Sequence, residues 1–321
     1  MSAAPGAAPA AAWVVGGGGL VGRHLVAALR ARGTEVMTSR VPWADEAATD
    51  ATLEAEAARF AALRSGRPWL LAWCAGAGVV ATGADALAAE QRVFERFARG
   101  LAGTLTEGEE GVVLLASSAG GLYAGSADPP FTEETPPEPL VPYGRTKLAM
   151  EQALTAAVSG TGLRAVLARL ANVYGPGQTL GKPQGLLSQL CLSEASPRPL
   201  PVFVSLDTIR DYVFAPDLAR MLVRCTELVL EEPPGTTTAK VIASGRPVTV
   251  GHLLSEARRV FHRPLRTVMA PGGAGQVLDL RLGSVRWPEV DALAATPLPA
   301  GLAATAADVR ARVVSGGPLD G

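Results

Sequence analysis

Cysteine, histidine and lysine are scarce in this 321-residue chain, with three of each. Cys74, Cys191 and Cys225 stand far apart and are odd in number. That pattern argues against a disulfide framework and a metal-binding cysteine cluster, and it reads as three reduced core residues of a cytoplasmic protein. His24, His252 and His262 are equally scattered. They lack the acidic or thiol neighbours that ligation requires, so no metal is expected. A net charge of -1 without a basic cluster makes nucleic acid a poor partner. No uncharged run of 18 apolar residues occurs, so no membrane-spanning helix is expected. The start, 1–12, is rich in Ala and Pro and carries no Lys or Arg. It lacks the basic segment of a signal peptide and reads as a mobile leader.

What is present is a well-buried globular composition, 48% hydrophobic and 18% charged. The length suits one large domain and a smaller one. Trp13 to Val15 reads as a buried strand, followed by the glycine-rich turn Gly16 to Gly22 and a helix with Leu25, Val26 and Leu29 on one stripe. A strand, a glycine turn and a helix start form a phosphate cradle, in which backbone N–H groups face the negative charge. Gly16, Gly19, Leu20, Val21 and Gly22 are therefore candidate cofactor contacts. The strand Thr34 to Thr38 ends in Ser39-Arg40 with no acid. An acid at that place binds the ribose hydroxyl of NAD, whereas a guanidinium pairs with the 2′-phosphate of NADP. NADP(H) is favoured, NAD(H) is possible, and the alternative for Arg40 is an ordinary solvated loop residue. A third strand, Trp69 to Cys74, runs out into Ala75-Gly76-Ala77-Gly78, where small residues leave room for a ligand.

Helices are expected over 44–65, from Thr82 to Leu105 and from Tyr143 onward. Strands are expected from Gly111 to Ala116, ending in Ser117-Ser118, and from Leu163 to Leu170. This alternation predicts an α/β fold, a Rossmann-type doubly wound parallel sheet with a smaller C-terminal α/β substrate-binding domain. The cofactor domain is expected over 13–175, with 205–230 returning to it. The smaller domain is expected over 176–204 and 231–321.

Tyr143 and Lys147 stand four residues apart, on one face of a helix. An ammonium beside a phenol stabilises the phenolate, so the pair suits proton transfer. With four tyrosines and three lysines in the whole chain, such a spacing is improbable by chance.

Five motifs in order resemble the extended short-chain dehydrogenase/reductase family, and within it the nucleotide-sugar epimerase, dehydratase and ketoreductase branch. They are Gly16-x-x-Gly19-x-x-Gly22, the strand ending in Ser117-Ser118, Tyr143-x-x-x-Lys147, Arg169 to Gly177 with Asn172-Val-Tyr-Gly-Pro-Gly, and Arg210-Asp-Tyr-Val. The resemblance runs from about Trp13 to Asp217. It implies a Ser–Tyr–Lys triad in which Tyr143 is the acid/base, Lys147 holds the nicotinamide ribose and Ser118 orients the substrate oxygen, with Ser117 as the rival serine. It further implies that Leu170 and Val173 line the nicotinamide, that Asn172 contacts the nucleotide end, that Arg210 clamps the diphosphate and that Phe203 stacks on the base. An ordinary core position for Phe203 is an equal alternative. A homodimer through 82–105 and 143–158 is the family's expectation. Two departures stand out: Trp73 replaces the family's usual histidine, and Ala119-Gly120 replaces the acidic pair of the dehydratases.

Without that acidic pair, dehydration is discounted. The preferred expectation is an NADP(H)-dependent ketoreductase acting on a nucleotide-linked 4-keto-6-deoxy sugar. The alternatives are a nucleotide-sugar epimerase that retains NAD and a non-catalytic dinucleotide-sensing protein.

Overall fold

The computed structural model describes residues 8–64, 66–76, 82–101, 111–180, 185–195, 199–262, 264–270 and 277–315. Ala77 and Gly78, and the last four residues of the helix expected to end at Leu105, lie outside them.

In chain order the first half contains β1 (Ala11–Val15), α1 (Leu20–Ala31), β2 (Glu35–Thr38), α2 (Glu46–Arg64) and β3 (Trp69–Trp73). It continues with α3 (Ala84–Leu101), β4 (Gly111–Ser118), α4 (Ala119–Leu122), α5 (Pro142–Val158) and β5 (Arg164–Leu170). The second half contains β6 (Asn172–Tyr174), α6 (Leu186–Ala195), β7 (Leu200–Val202), β8 (Ile209–Arg210), β9 (Tyr212–Phe214) and α7 (Ala215–Val229). Then follow β10 (Thr237–Ile242), β11 (Val248–Thr249), α8 (Val250–Phe261), β12 (Thr267–Met269), β13 (Asp279–Leu280), α9 (Pro288–Asp291) and α10 (Leu298–Val314).

Six strands form one parallel sheet in the order β10-β5-β4-β3-β1-β2. β1, β3 and β5 are buried along their whole length, as near-continuous apolar runs covered on both faces should be. On one face Leu25, Val26 and Leu29 of α1 and Leu218, Met221 and Leu222 of α7 pack on Val14, Leu70, Leu114 and Val166. On the other face Leu53 and Phe60 of α2, Val93 and Phe94 of α3 and Met150 and Leu154 of α5 pack on Trp13, Leu71, Val113 and Leu115. Each such buried leucine contributes about 1.5–3 kcal/mol. Trp73 belongs to this second face. Its ring lies 5.1 Å from that of Phe94 and 5.0 Å from that of Phe97, so the residue that departs from the family pattern fills core volume. A further core, with Leu187, Leu190, Leu253, Leu254, Leu302 and Val309, joins α6, α8 and α10.

Two boundaries differ from the expectation. Ala11 and Ala12 are fully buried in β1 and pair with β2 and β3. These two residues of the expected 1–12 segment stand in the sheet, where their small apolar side chains fit between the layers. β10, within the 231–321 segment expected in the smaller domain, is an edge strand of the large sheet. It pairs in register with β5 from Thr237↔Ala165 to Ile242↔Leu170. Its alternation of buried and half-buried residues suits an edge strand rather than a separate unit.

Candidate active site

The direction of strand order reverses between β1 and β3, and the crevice at the carboxyl ends of the strands opens there. Gly16 lies at that point with φ 82°, and a Cβ on it would sit 2.5 Å from the Ala75 nitrogen. Only glycine lets the ends of β1 and β3 meet this closely. A Cβ on Gly22 would lie 2.2 Å from the Gly16 oxygen, whereas one on Gly18 would meet open space. The turn is tight below and open above. Gly19 caps α1 without a side chain, and the first turn of α1 carries no acid. Leu20 and Val21, both half-buried, begin the helix. Such a helix start, with free N–H groups and a partial positive charge, suits an anion. The sequence reading passes over Arg23, whose Nη2 donates to the Gly18 oxygen at 2.8 Å. Its place one residue past the last glycine of the turn is the signal that marks it.

At the end of β2, the Ser39 hydroxyl accepts from Trp13 Nε1 at 2.8 Å and donates to Glu56 Oε2 at 2.9 Å. Its one proton is spent on the layer beneath. Arg40 is exposed.

The four-residue gap between Tyr143 and Lys147 is one helical turn. Pro142 starts α5, where its fixed φ suits a first helical position. The next residues dock α5 on α4. A Cβ on Gly144 would lie 2.1 Å from the Gly121 oxygen, and one on Gly121 would lie 3.1 Å from Tyr143 Cε1. The phenol ring is thus placed against a glycine of α4. Ser118 caps α4, its Oγ accepting from the Gly121 nitrogen at 3.1 Å. The hydroxyl proton of Ser118 is left to donate. One turn on from Tyr143, Lys147 is buried. Its Nζ lies 5.8 Å from the Tyr143 ring centroid and 2.9 Å from Glu90 Oε1 of α3. A Cβ on Gly76 would stand 3.2 Å from the same Nζ. Gly16, Ala75, Gly76, Lys147, Tyr143 and Ser118 therefore line one continuous stretch of strand ends. Leu170 is buried there in register with Ser118.

A second turn of α5 anchors it. Glu151 takes Arg169 Nη2 at 2.8 Å and Nε at 3.2 Å, and Arg169 Nη1 donates to the Tyr123 hydroxyl at 2.7 Å. Tyr123 donates in turn to the Thr132 oxygen at 2.7 Å. Burial pushes the Tyr123 phenol up, with the Arg169 charge opposing it. Ser117, in register with Arg169, is buried and its Oγ has no hydrogen-bond partner. Register places it with the α5 layer, one residue before the serine that caps α4.

The remaining expected contacts are arranged differently. Asn172 Nδ2 donates to the Asp211 oxygen at 2.9 Å, and Val173 pairs with Val213 between β6 and β9. Arg210 donates to the oxygens of Ile209 and Val277, each at 2.8 Å. Desolvation also draws its pKa down. Its fork is bound to backbone in this arrangement. Phe203 is 54% exposed, so its alternative reading as a core aromatic does not hold.

A cavity of about 440 Å³ lined by Trp13, Leu53, Phe60, Trp69 and Phe97 lies between α2, α3 and the sheet. It contains none of the candidate residues, so its size does not make it the reaction site. Among the described residues no group of three or more His, Cys, Asp or Glu could hold a metal, and no helix is long and apolar enough to cross a membrane.

Comparison with known proteins agrees with this geometry. Residues 12–238 match the model of the NAD dependent epimerase/dehydratase family. The chain is 27% identical over 142 residues to dTDP-4-dehydro-6-deoxyglucose reductase of Escherichia coli, covering 44% of this chain and 43% of that protein. It is 29% identical over 186 residues to UDP-glucose 4-epimerase of Streptomyces lividans, covering 54% and 55%. The chain thus spans about half the length of the curated relatives it matches. Among solved structures, UDP-glucose 4-epimerase of Thermotoga maritima with UDP-glucose shares the fold with a TM-score of 0.74 at 21% identity, over 94% of this chain and 99% of that one. The family model covers more than half of the chain, and the protein belongs to the NAD dependent epimerase/dehydratase family.

Proposed function

We propose that this protein is an NADP(H)-dependent ketoreductase acting on a nucleotide-linked 4-keto-6-deoxy sugar. The observation that carries the reading is the meeting of Lys147, Tyr143 and Gly76 at the carboxyl ends of the strands, beside an acid-free glycine turn. The residues fit a dinucleotide: the cradle at Gly16 and Gly22 is one that a Cβ would fill, and Gly18 faces open space. Gly16, Gly19, Leu20, Val21 and Gly22 would hold the pyrophosphate, with Arg23 close by. Ala75, Gly76, Lys147, Leu170 and Val173 would hold the nicotinamide end. When bound, the cofactor supplies the hydride.

The chain's own residues supply the proton and the orientation. Tyr143 gives its phenolic proton to the oxygen formed from the sugar ketone. Lys147 stabilises the phenolate that remains. Ser118, with its hydroxyl proton uncommitted, donates to the same substrate oxygen and fixes its position. Phe203, with its exposed ring, would stack on the base, and Asn172 would contact the nucleotide end. A homodimer through α3 and α5 is part of this reading, and light scattering tests it.

The choice of NADP(H) rests on Arg40. It is exposed at the end of β2, and the neighbouring Ser39 is turned to Trp13 and Glu56. The E. coli relative named a reductase supports the reductive direction, while the relatives named epimerases support the second reading, in which NAD is retained. The two separate in one experiment on purified protein. Consumption of NADPH with a 4-keto-6-deoxy nucleotide sugar is the expected result. A nicotinamide that survives dialysis, with no net NADPH consumption, would overturn it in favour of an epimerase.

A further inference from the structure

The ammonium of Lys147 has a charged partner that neither the spacing of the motif nor the family pattern names. Glu90, from α3, approaches it to 2.9 Å. The two side chains are 14% and 5% exposed, so the pair is only weakly screened. Both press on the backbone at the end of β3: a Cβ on Gly76 would lie 3.0 Å from Glu90 Oε1 and 3.2 Å from Lys147 Nζ. The pair therefore borders the crevice into which Gly76 opens.

The other groups around this point do not compete for the charge. On α5 itself, Glu151 is bound by Arg169 of β5 through three nitrogen–oxygen contacts. Met150 offers a sulfur 3.9 Å from Nζ. From α4 the neighbour of Tyr143 is the uncharged backbone of Gly121. The Lys147 ammonium thus lies beside the Tyr143 ring and meets the Glu90 carboxylate.

We infer that Glu90 is a positioning residue of the proton-transfer site, fixing the Lys147 ammonium at the rim by Gly76 and setting how much of its positive charge Tyr143 experiences. The inference rests on the reading of Tyr143 and Lys147 as the proton-transfer pair. An ammonium alone favours phenolate, and a carboxylate in contact with it cancels part of that pull. Glu90 thus favours the protonated phenol, the form a reductase needs when it delivers a proton to a ketone.

Tyrosine ionisation tests this without any substrate. The chain has four tyrosines. Burial pushes Tyr123 and Tyr174 up, and Tyr212 up to about 12. The tyrosinate component that is lost in Tyr143→Phe belongs to Tyr143. In Glu90→Gln the same component should appear at lower pH than in the wild type. Glu90→Asp, whose shorter carboxylate draws back from the ammonium, should shift it less in the same direction and serves if the glutamine variant folds poorly. A role in packing alone would lower the thermal midpoint and leave the onset unmoved. That outcome in a folded variant would overturn the inference. The titration uses no nucleotide sugar, so a failure to find turnover counts against the proposed reaction and leaves this readout intact.

Discussion

The glycine turn and the segment from Asn172 to Arg210 handle their polar groups in opposite ways. In the turn, the helix start at Gly19 has no side-chain cap and no acid in the first turn, and Gly18 faces open space. No side chain of the protein caps the N–H groups at that helix start. In the later segment Asn172 bonds to the Asp211 oxygen and Arg210 to the oxygens of Ile209 and Val277. A polar residue carried over from a motif is therefore not automatically free to meet a ligand. Groups that the fold leaves unused should govern binding and turnover, and groups already engaged should govern stability.

The largest effect expected from that division is at Tyr143. Tyr143→Phe should lower turnover by about 100- to 10,000-fold while NADPH affinity, read by titration calorimetry, stays at the wild-type value. Retained turnover would remove Tyr143 from the class of groups free to act. On the engaged side, Glu151→Ala strands the buried Arg169 without its carboxylate. It should cost about 3–5 kcal/mol in urea unfolding, and a loss below 1 kcal/mol would mean that the pair anchors little. Arg40→Ala should lower the ratio of NADP to NAD affinity by about tenfold, the size of one charge-assisted hydrogen bond. An unchanged ratio would return Arg40 to the solvated loop. The smallest effect is expected at Arg210. Arg210→Gln should cost about 1–2 kcal/mol of stability and change nucleotide-sugar affinity little. A tenfold or greater fall in affinity with stability unchanged would show instead that the guanidinium leaves its carbonyls for a diphosphate.

The parallel sheet was legible because its strands are buried on both faces and read as unbroken apolar runs, as at Trp69–Trp73. Tyr143 and Lys147 were legible because one helical turn joins them. Glu90 was not, since it reaches Lys147 across 57 positions and only the packing of α3 on α5 brings them together. The bond from Ser39 to Glu56 was hidden for the same reason: it spans a strand and a helix. The short helix α4 escaped because Ala119-Gly120-Gly121-Leu122 has no periodicity to read, and its cap is a serine that also marks a strand end. Ala11 and Ala12 read as leader because alanine carries so little hydrophobic pattern. β10 was hidden as part of the large sheet because a six-residue run cannot announce that its partner lies some 70 positions earlier.

That late partner has a consequence for how the chain acquires its structure. β5 is completed at Leu170, yet one of its edges stays unpaired until Thr237–Ile242 arrives, after α6, α7 and several short strands have been made. During that interval one edge of a strand destined for full burial presents open N–H and C=O groups, the kind of edge that recruits other chains. Closing it requires a long loop to be ordered first, which slows assembly. The last strand of the sheet thus acts as a seal set from the far side of the sequence.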